Sequence, residues 1–294
     1  MTTAEAGMDI GIGLPNAVPG TDGKTLIGWA RSADEAGFSS LGTIGRIVYP
    51  SYEELIALSA AAAVTSRIRL TSAVLIAPLY ANTALLAKQV ASLDRLSGGR
   101  VVLGVGLGGR DDDYSASGVP MAGRGRHLDE QLAEMRRIWS GEKLGYAGGI
   151  GPEPVRQGGP ELICAATTPA TFGRVARFAD GWIMAGGSPD MFAGAAAHLD
   201  EIWQAAGRSG KPRKLAMTYF ALGPDADAQA DAYIPHFYDW DGDLAGYFRA
   251  GTVTSAEMAR SMAAAFAAGG CDELIFDPTG SDPGQLRLLA EAVL

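Results

Sequence analysis

The strongest constraint on the fold is the regular alternation of eight strand-like apolar runs with helical segments along 294 residues. The runs are residues 8–14, 39–44, 68–76, 100–106, 162–166, 181–185, 215–222 and 273–277. Strands that alternate with helices form parallel sheets, and eight such units in one domain of about 250 residues are typical of a closed (β/α)8 TIM barrel. An open, doubly wound sheet is the alternative, because alternation alone does not establish closure.

Composition narrows the possible functions. The chain is 47% hydrophobic and has no low-complexity break, which predicts a single domain over residues 1–294 with a loose tail at residues 1–7. A formal net charge of −9 argues against a nucleic-acid surface, and no apolar run approaches the roughly 20 residues of a membrane-spanning helix. Cys164 and Cys271 lie in or beside apolar stretches and are expected to be buried free thiols. We therefore predict a cytoplasmic protein that binds no nucleic acid, membrane or metal ion.

The most informative stretch is residues 82–130. It begins as an amphipathic helix that stops at Gly98, where a residue without a Cβ atom adopts positive φ at little cost. The apolar run that follows is typical of a strand covered on both faces. Gly106 and Gly108 then allow the backbone to approach a flat or charged group closely.

This stretch resembles the bacterial luciferase-like flavin-dependent oxidoreductase family. The resemblance rests on the segments LLAKQVASLDRLSGGRVVLGVGLGG, ASGVP and RGRHLDE, and it extends to IGIGLP near the start, PATFGRVARFADGWI in the second half and GGCDELIFDP near the end. It covers most of the chain, and it favours the TIM barrel over the doubly wound sheet. Sites in such barrels lie at the carboxyl ends of the strands.

The resemblance also implies where a flavin would lie. Family members have a non-proline cis peptide in the third strand, and alignment on Pro78 places it between Ala73 and Val74. There it would form a bulge against one face of the flavin. By the same resemblance, the backbone at Gly106 and Gly108 would pass along the flavin.

Two arginines follow predicted strands. Many family members have a histidine near the flavin at the position of Arg46, and an arginine cannot act as a general base at ordinary pH. Arg46 is therefore a candidate catalytic residue that holds an anionic substrate or a reduced flavin, or else it forms an ion pair at the barrel rim. Arg110 is a candidate for the flavin phosphate. The acidic run at residues 111–113 is either solvated or contributes a residue that caps a short helix and holds Arg110 or Arg124.

Three threonines open the helix after the fifth predicted strand. The free N–H groups and the dipole at a helix start favour an anion, and family members hold the flavin phosphate here. Thr167, Thr168 and Thr171 are therefore candidate phosphate-binding residues. The alternative is an ordinary threonine cap before Pro169, and capping does not exclude phosphate binding.

The predicted insertion after strand seven, residues 225–251, is helical and rich in aromatic residues. These are Tyr233, Phe237, Tyr238, Trp240, Tyr247 and Phe248. Such a segment either packs statically on the barrel wall or forms a mobile lid that covers the substrate and excludes water. In a lid, His236 would be the best candidate acid or base.

The resemblance implies a flavin-dependent monooxygenase that uses reduced FMN and oxygen on a small organic substrate. No dinucleotide-binding motif precedes an early helix, so a separate flavin reductase is the expected source of reduced FMN. The alternatives are hydride transfer with an 8-hydroxy-5-deazaflavin coenzyme and a catalytically silent flavin-binding or structural member. A phosphate-binding aldolase fits less well, because no lysine follows a predicted strand. A homodimer is expected by the same resemblance.

Overall fold

The computed structural model describes residues 7–146 and 148–294, so most of the predicted tail at residues 1–7 lies outside the described residues. The strands are β1 Asp9–Gly13, β2 Ser40–Thr43, β3 Arg69–Ser72, β4 Leu75–Ile76, β5 Val101–Gly106, β6 Glu161–Ala165, β7 Gly181–Ala185, β8 Arg213–Phe220 and β9 Glu273–Pro278. The helices are α1 Gly23–Ala36, α2 Glu54–Ala62, α3 Thr83–Ser97, α4 Asp111–Ala116, α5 Arg124–Trp139, α6 Pro169–Phe178, α7 Pro189–Ala205, α8 Ala226–Phe237, α9 Gly242–Ala250, α10 Ala256–Ala268 and α11 Gly284–Val293.

All of the strand pairings are parallel, and they close into a barrel. The strand β9 joins β1 to β8, and β3 and β4 both pair with β5, which completes the ring. The predicted TIM barrel is therefore confirmed, and the open doubly wound sheet is excluded. The third predicted strand is interrupted between β3 and β4, where the Ala73–Val74 peptide is cis, as predicted.

Alternate residues of each strand contact two different cores, as expected for side chains that alternate across a sheet. Ile10 and Ile12 of β1 belong to the larger core, between the barrel and its helices. Gly11 faces the barrel interior, where an added Cβ atom would lie 3.0 Å from Ile275 Cγ1. A second, smaller core fills that interior and includes Val102, Ile163, Ile183, Leu215, Met217 and Ile275.

The amino-terminal end of the barrel is closed by an ion-pair network around Glu273. This side chain is fully buried. Arg213 donates to its Oε2 atom, Arg69 lies 3.2 Å from its Oε1 atom, and the Ser39 hydroxyl also donates to Oε1. The charges at this end are therefore paired inside the barrel, and the opposite, carboxyl end remains for a site.

The aromatic insertion forms the two helices α8 and α9, and Asp111–Ala116 forms the short helix α4. Arg110 occupies the cap position of α4 and no side-chain hydrogen bond caps it, so the prediction that an acidic residue caps this helix is wrong. Cys164 and Cys271 are buried free thiols, as predicted, and burial raises the pKa of each to about 12. Among the helices of residues 7–146 and 148–294, none is long and apolar enough to cross a membrane.

Candidate active site at the barrel mouth

The mouth of the barrel is covered by α8. Its side chains Tyr233, Ile234 and Phe237 belong to the same core as the strand residues of the barrel interior, and Val74 packs against that core. Pro235 and His236, on the other face of the helix, are exposed. The insertion therefore packs its aromatic face into the place where a barrel enzyme holds its ligand.

The predicted cofactor residues at β4 and β5 lie together. An added Cβ atom at Gly106 would lie 2.6 Å from Val74 Cγ2, and one at Gly108 would lie 2.9 Å from Ile76 Cγ2. Gly108 also has φ of 66°, which favours glycine. Both glycines are thus required by the close approach of the interrupted strand, whose Ala73–Val74 bond lies beside them.

Arg46 and Arg110 converge on one backbone oxygen, the carbonyl of Phe237 at the end of α8. Arg46 donates to it at 2.8 Å, and the two terminal nitrogens of Arg110 approach it at 3.4 and 3.5 Å. Both guanidinium groups lie over the Phe237 ring, at 5.7 and 5.6 Å from its centroid. The sequence analysis identified the two arginines independently, and the fold brings both of them to the Phe237 carbonyl oxygen.

Carboxylates surround the two arginines. Arg46 forms ion pairs with Asp239 at 3.3 Å and Asp112 at 3.6 Å, and Arg110 forms one with Asp113 at 3.7 Å. Asp113 also accepts hydrogen bonds from the backbone N–H groups of residues 47 and 48. The prediction that one acidic residue of the run holds Arg110 is confirmed. Arg46 has the predicted rim ion pairs, and these do not exclude a role in binding.

His236 lies on the exposed face of α8. Its Nδ1 atom is 2.7 Å from the hydroxyl of Tyr49, and either atom can donate according to the imidazole tautomer. Burial raises the pKa of Tyr49 to about 12, although Arg46 opposes that shift. Tyr49 therefore remains protonated at neutral pH and fixes the exposed histidine beside Arg46.

The three threonines open α6 at the carboxyl end of β6. The hydroxyl oxygen of Thr171 accepts hydrogen bonds from the backbone N–H groups of Thr167 and Thr168 at 3.0 and 2.9 Å. Thr168 occupies the cap position, and both Thr167 and Thr168 are exposed. The predicted cap is present, and the helix start is open to a ligand.

A buried polar cluster in the mouth was missed from the sequence. Asp277, at the end of β9, is 2% exposed, and its Oδ1 atom has no hydrogen-bond partner within the described part of the chain. Burial raises its pKa well above the usual value, which favours the protonated form. The hydroxyl of Tyr233 is likewise buried without a partner there, while those of Tyr219 and Tyr238 lie 2.9 Å apart. The sequence feature that could have indicated this cluster is the aspartate at the end of the last predicted strand.

A cavity of about 270 Å³ adjoins this cluster. Its walls come from the ends of β7 and β8 and from α9, and they include Gly186, Gly187, Ser188, Tyr219 and Phe248. The residues after β7 were not singled out from the sequence, because two glycines and a serine before a proline are equally typical of an ordinary helix cap.

Glu54 is a buried carboxyl below the Arg46 loop. It opens α2 and is 7% exposed, and an added Cβ atom at Gly45 would lie 2.5 Å from its Oε2 atom. Burial raises the pKa of Glu54 to about 7, and the charges of Glu53 and Asp113 act in the same direction. A carboxyl whose pKa rises on folding stabilises the native state at low pH, and that contribution is lost as the pH rises from the unfolded value through about 7.

A Glu54→Gln variant is therefore expected to be more stable than the parent by about 3 kcal/mol at pH 8, and by less than about 1 kcal/mol at pH 5. Glutamine keeps the shape of the protonated acid and removes the cost of burying its charge. Urea unfolding at both pH values measures the difference, with the exposed Glu257→Gln as the matched control. Identical pH profiles for the Glu54 variant and the parent would show that Glu54 does not titrate in this range.

Comparison with known proteins gives concordant matches. The family model described as luciferase-like monooxygenase matches residues 8–286. An uncharacterized protein of Mycobacterium tuberculosis strain H37Rv is 41% identical over 170 residues, which are 55% of this chain and 60% of that relative. The FMNH2-dependent dimethylsulfone monooxygenase of Pseudomonas putida is 25% identical, over 58% of this chain and 49% of its own. The chain thus spans about half to three fifths of the length of these relatives.

Among solved structures, an F420-dependent secondary alcohol dehydrogenase in complex with an F420-acetone adduct superposes with a TM-score of 0.79. The superposition covers 98% of both chains at 15% sequence identity. At that identity the likeness concerns the fold alone.

Proposed function

Because the chain belongs to the luciferase-like monooxygenase family, we propose that it is a flavin-dependent oxidoreductase that uses reduced FMN and oxygen to oxygenate a small organic substrate. The observation that carries the proposal is the juxtaposition, at the carboxyl ends of the strands, of an aromatic-covered mouth with an open helix start. Tyr233 and Phe237 cover the mouth, and Thr168 opens the helix. A flavin has both an apolar ring system and a phosphate, which match these two environments.

The residues present fit such a cofactor. The buried atoms Asp277 Oδ1 and Tyr233 Oη lack partners in the described structure, and polar groups of this kind are normally satisfied by water or a ligand. Val74, Gly106 and Gly108 would line the ring, and the start of α6 would hold the phosphate through its backbone N–H groups and threonine hydroxyls. Arg110 lies at the Phe237 carbonyl, and it remains a candidate for contact with the cofactor.

When bound, reduced FMN would supply the electrons that activate oxygen. The chain would position the substrate and keep water out with the aromatic face of α8. Asp277 is buried in the mouth, where burial favours its protonated form, and it would donate a proton to a reacting oxygen atom. Arg46 would stabilise negative charge that develops on the substrate or on the flavin. We further propose a separate flavin reductase as the source of reduced FMN, and a homodimer.

Replacing Thr167, Thr168 and Thr171 together by alanine is expected to weaken reduced FMN binding about 10- to 100-fold. A hydrogen bond to a charged phosphate contributes roughly 1.5–3 kcal/mol. Binding of riboflavin, which has no phosphate, should change much less. Anaerobic titration of both ligands measures the effect, and Ser255→Ala, which removes the exposed cap of α10, is the matched control. Equal losses for the two ligands would show that the threonines support the helix and not the phosphate.

The second candidate is hydride transfer with an 8-hydroxy-5-deazaflavin coenzyme, and the F420-dependent structural neighbour supports it. The two functions differ in what enters the product. Turnover under heavy-isotope oxygen gas should label the product if the protein is a monooxygenase. An unlabelled product that also forms without oxygen in the presence of the deazaflavin would support the second candidate instead. Binding of neither cofactor would indicate a catalytically silent member.

A further inference from the structure

The backbone carbonyl oxygen of Phe237 accepts hydrogen bonds from two arginine side chains, as the oxygen of a bound ligand would. It lies at the carboxyl end of α8, where the last carbonyls of a helix lack partners within the helix and carry partial negative charge. Arg46 and Arg110 both donate to it, and their side chains are only 4% and 8% exposed. Two buried cations thus share one neutral oxygen of the chain itself.

The two arginines are incompletely satisfied in this arrangement. The Nε atoms of both are buried and have no hydrogen-bond partner in residues 7–146 and 148–294. The contacts of Arg110 to the Phe237 carbonyl, at 3.4 and 3.5 Å, are long. A guanidinium presents five N–H donors in a planar fork that matches a carboxylate, and charged acceptors bind it more strongly than neutral ones. A carboxylate at this point would therefore serve both arginines better than the carbonyl does.

The same short segment supplies one of the two carboxylates that pair with Arg46, the other being Asp112 of α4. Asp239 lies two residues beyond Phe237, contacts Arg46 at 3.3 Å, and has a side chain that is 63% exposed. If residues 237–240 moved away, they would withdraw a carboxylate and a carbonyl from the arginines together. Asp112 would remain beside Arg46, and Asp113 would remain beside Arg110, since it is held by the backbone N–H groups of residues 47 and 48.

The ring of Phe237 adds a second element of recognition. It lies under both guanidinium groups, and Arg46 is also 4.7 Å from the centroid of the Tyr49 ring. Arg110 is flanked by the Trp240 ring at 5.5 Å. Phe237 therefore presents to the arginines a benzene ring and a nearby sp² oxygen, which are the two parts of an aromatic carboxylate.

We propose that Arg46 and Arg110 form a binding site for an aromatic carboxylate, which enters by displacing Phe237 and Asp239. The segment 237–240 occupies the site as an internal substitute when no ligand is bound. The inference deepens the proposed function by naming the class of substrate, and it rests on that function only in calling the ligand a substrate. Binding of the carboxylate itself requires no flavin.

The experiment is a flavin-free titration with benzoate as the probe. Trp240 is the natural reporter, because it lies beside Arg110 and is exposed, whereas Trp29, Trp139, Trp182 and Trp203 are buried. Benzoate is expected to change the tryptophan fluorescence saturably and to bind at least about tenfold more tightly than neutral benzamide. Calorimetry gives the affinity independently of the reporter, and Trp240→Phe should abolish the optical signal while retaining the heat of binding.

Two variants test the named contacts, and a third serves as their control. Arg110→Gln should weaken benzoate binding about 10- to 100-fold, because it removes one charged partner. Asp239→Asn should strengthen binding roughly two- to fivefold, because it weakens the internal competitor while changing an exposed residue. Asp243→Asn makes the same charge change in the same insertion, and it should leave the affinity unchanged.

Three results would overturn the inference: equal affinity for benzoate and benzamide, no response to Asp239→Asn, or saturable binding of inorganic phosphate without binding of benzoate. The last result would assign the arginines to a phosphate group. Benzoate binding without any binding of reduced FMN would preserve this site and refute the proposed function. Binding of reduced FMN without any binding of benzoate would refute this site and leave the proposed function standing.

Discussion

A Glu273→Ala variant is expected to lose about 3–5 kcal/mol of its free energy of unfolding. Glu273 is fully buried at the amino-terminal end of the barrel and pairs with both Arg69 and Arg213. Its removal would leave two arginines facing each other around a cavity, with the Ser39 hydroxyl also unpaired. Urea unfolding followed by circular dichroism measures the loss, and coincident fluorescence transitions establish two-state behaviour.

The matched control is Glu161→Ala. Glu161 also pairs with Arg213, at 2.8 Å, but its side chain is 24% exposed, and water can replace it. We expect this variant to lose no more than about 1 kcal/mol. If both variants lost the same small amount, the network at the barrel floor would be solvated, and the buried charges would not determine stability.

Arg46→Ala is expected to lower kcat/KM by about 10²–10³-fold, which corresponds to roughly 2–4 kcal/mol of transition-state stabilisation. The side chain of Arg46 is 4% exposed and follows β2 at the carboxyl end of the barrel strands, where barrel enzymes have their active sites. A fixed cation there stabilises developing negative charge, and this electrostatic stabilisation is stronger when water is excluded. Arg46→Lys keeps the charge but loses the planar fork, so only partial activity is expected.

The assay is steady-state turnover of the substrate in the presence of reduced FMN, and thermal melting reports folding. Arg46→His tests whether the residue common in the family restores activity. Arg287→Ala removes an exposed arginine whose partner is Glu291, and it is the control for a change of charge. An alanine variant at position 46 that melts and turns over like the parent would make Arg46 a rim ion-pair residue only.

The fold was predictable because hydrophobic periodicity reports which faces of each element are buried. The alternation of strands and helices correctly predicted the barrel, although closure followed from the family resemblance. The interruption between β3 and β4 was likewise predicted from the resemblance to the luciferase-like family. Strand limits were less accurate, since β8 begins at Arg213, where a charged side chain faces the barrel floor and pairs with Glu273. Periodicity cannot distinguish such a paired charge from a solvated one.

The site was only partly predictable, because its residues meet through the tertiary structure. Arg46 and Arg110 were each identified by their position after a strand, yet nothing in the sequence places both on the carbonyl of Phe237, 127 residues from Arg110. Asp277 was missed, since an aspartate before a proline is also typical of a turn. His236 was chosen for its chemistry, and the fold places it on the exposed face of α8.

The most direct test of the central claim is an anaerobic titration of the purified protein with reduced FMN, oxidised FMN and the 8-hydroxy-5-deazaflavin coenzyme. We expect saturable binding of reduced FMN at one site per chain, tighter than that of the deazaflavin, and weakened about 10- to 100-fold by the triple alanine variant at positions 167, 168 and 171. Binding of the deazaflavin alone would indicate that the protein catalyses hydride transfer instead of oxygenation. Binding of none of the three would contradict a flavin site at the mouth of this barrel.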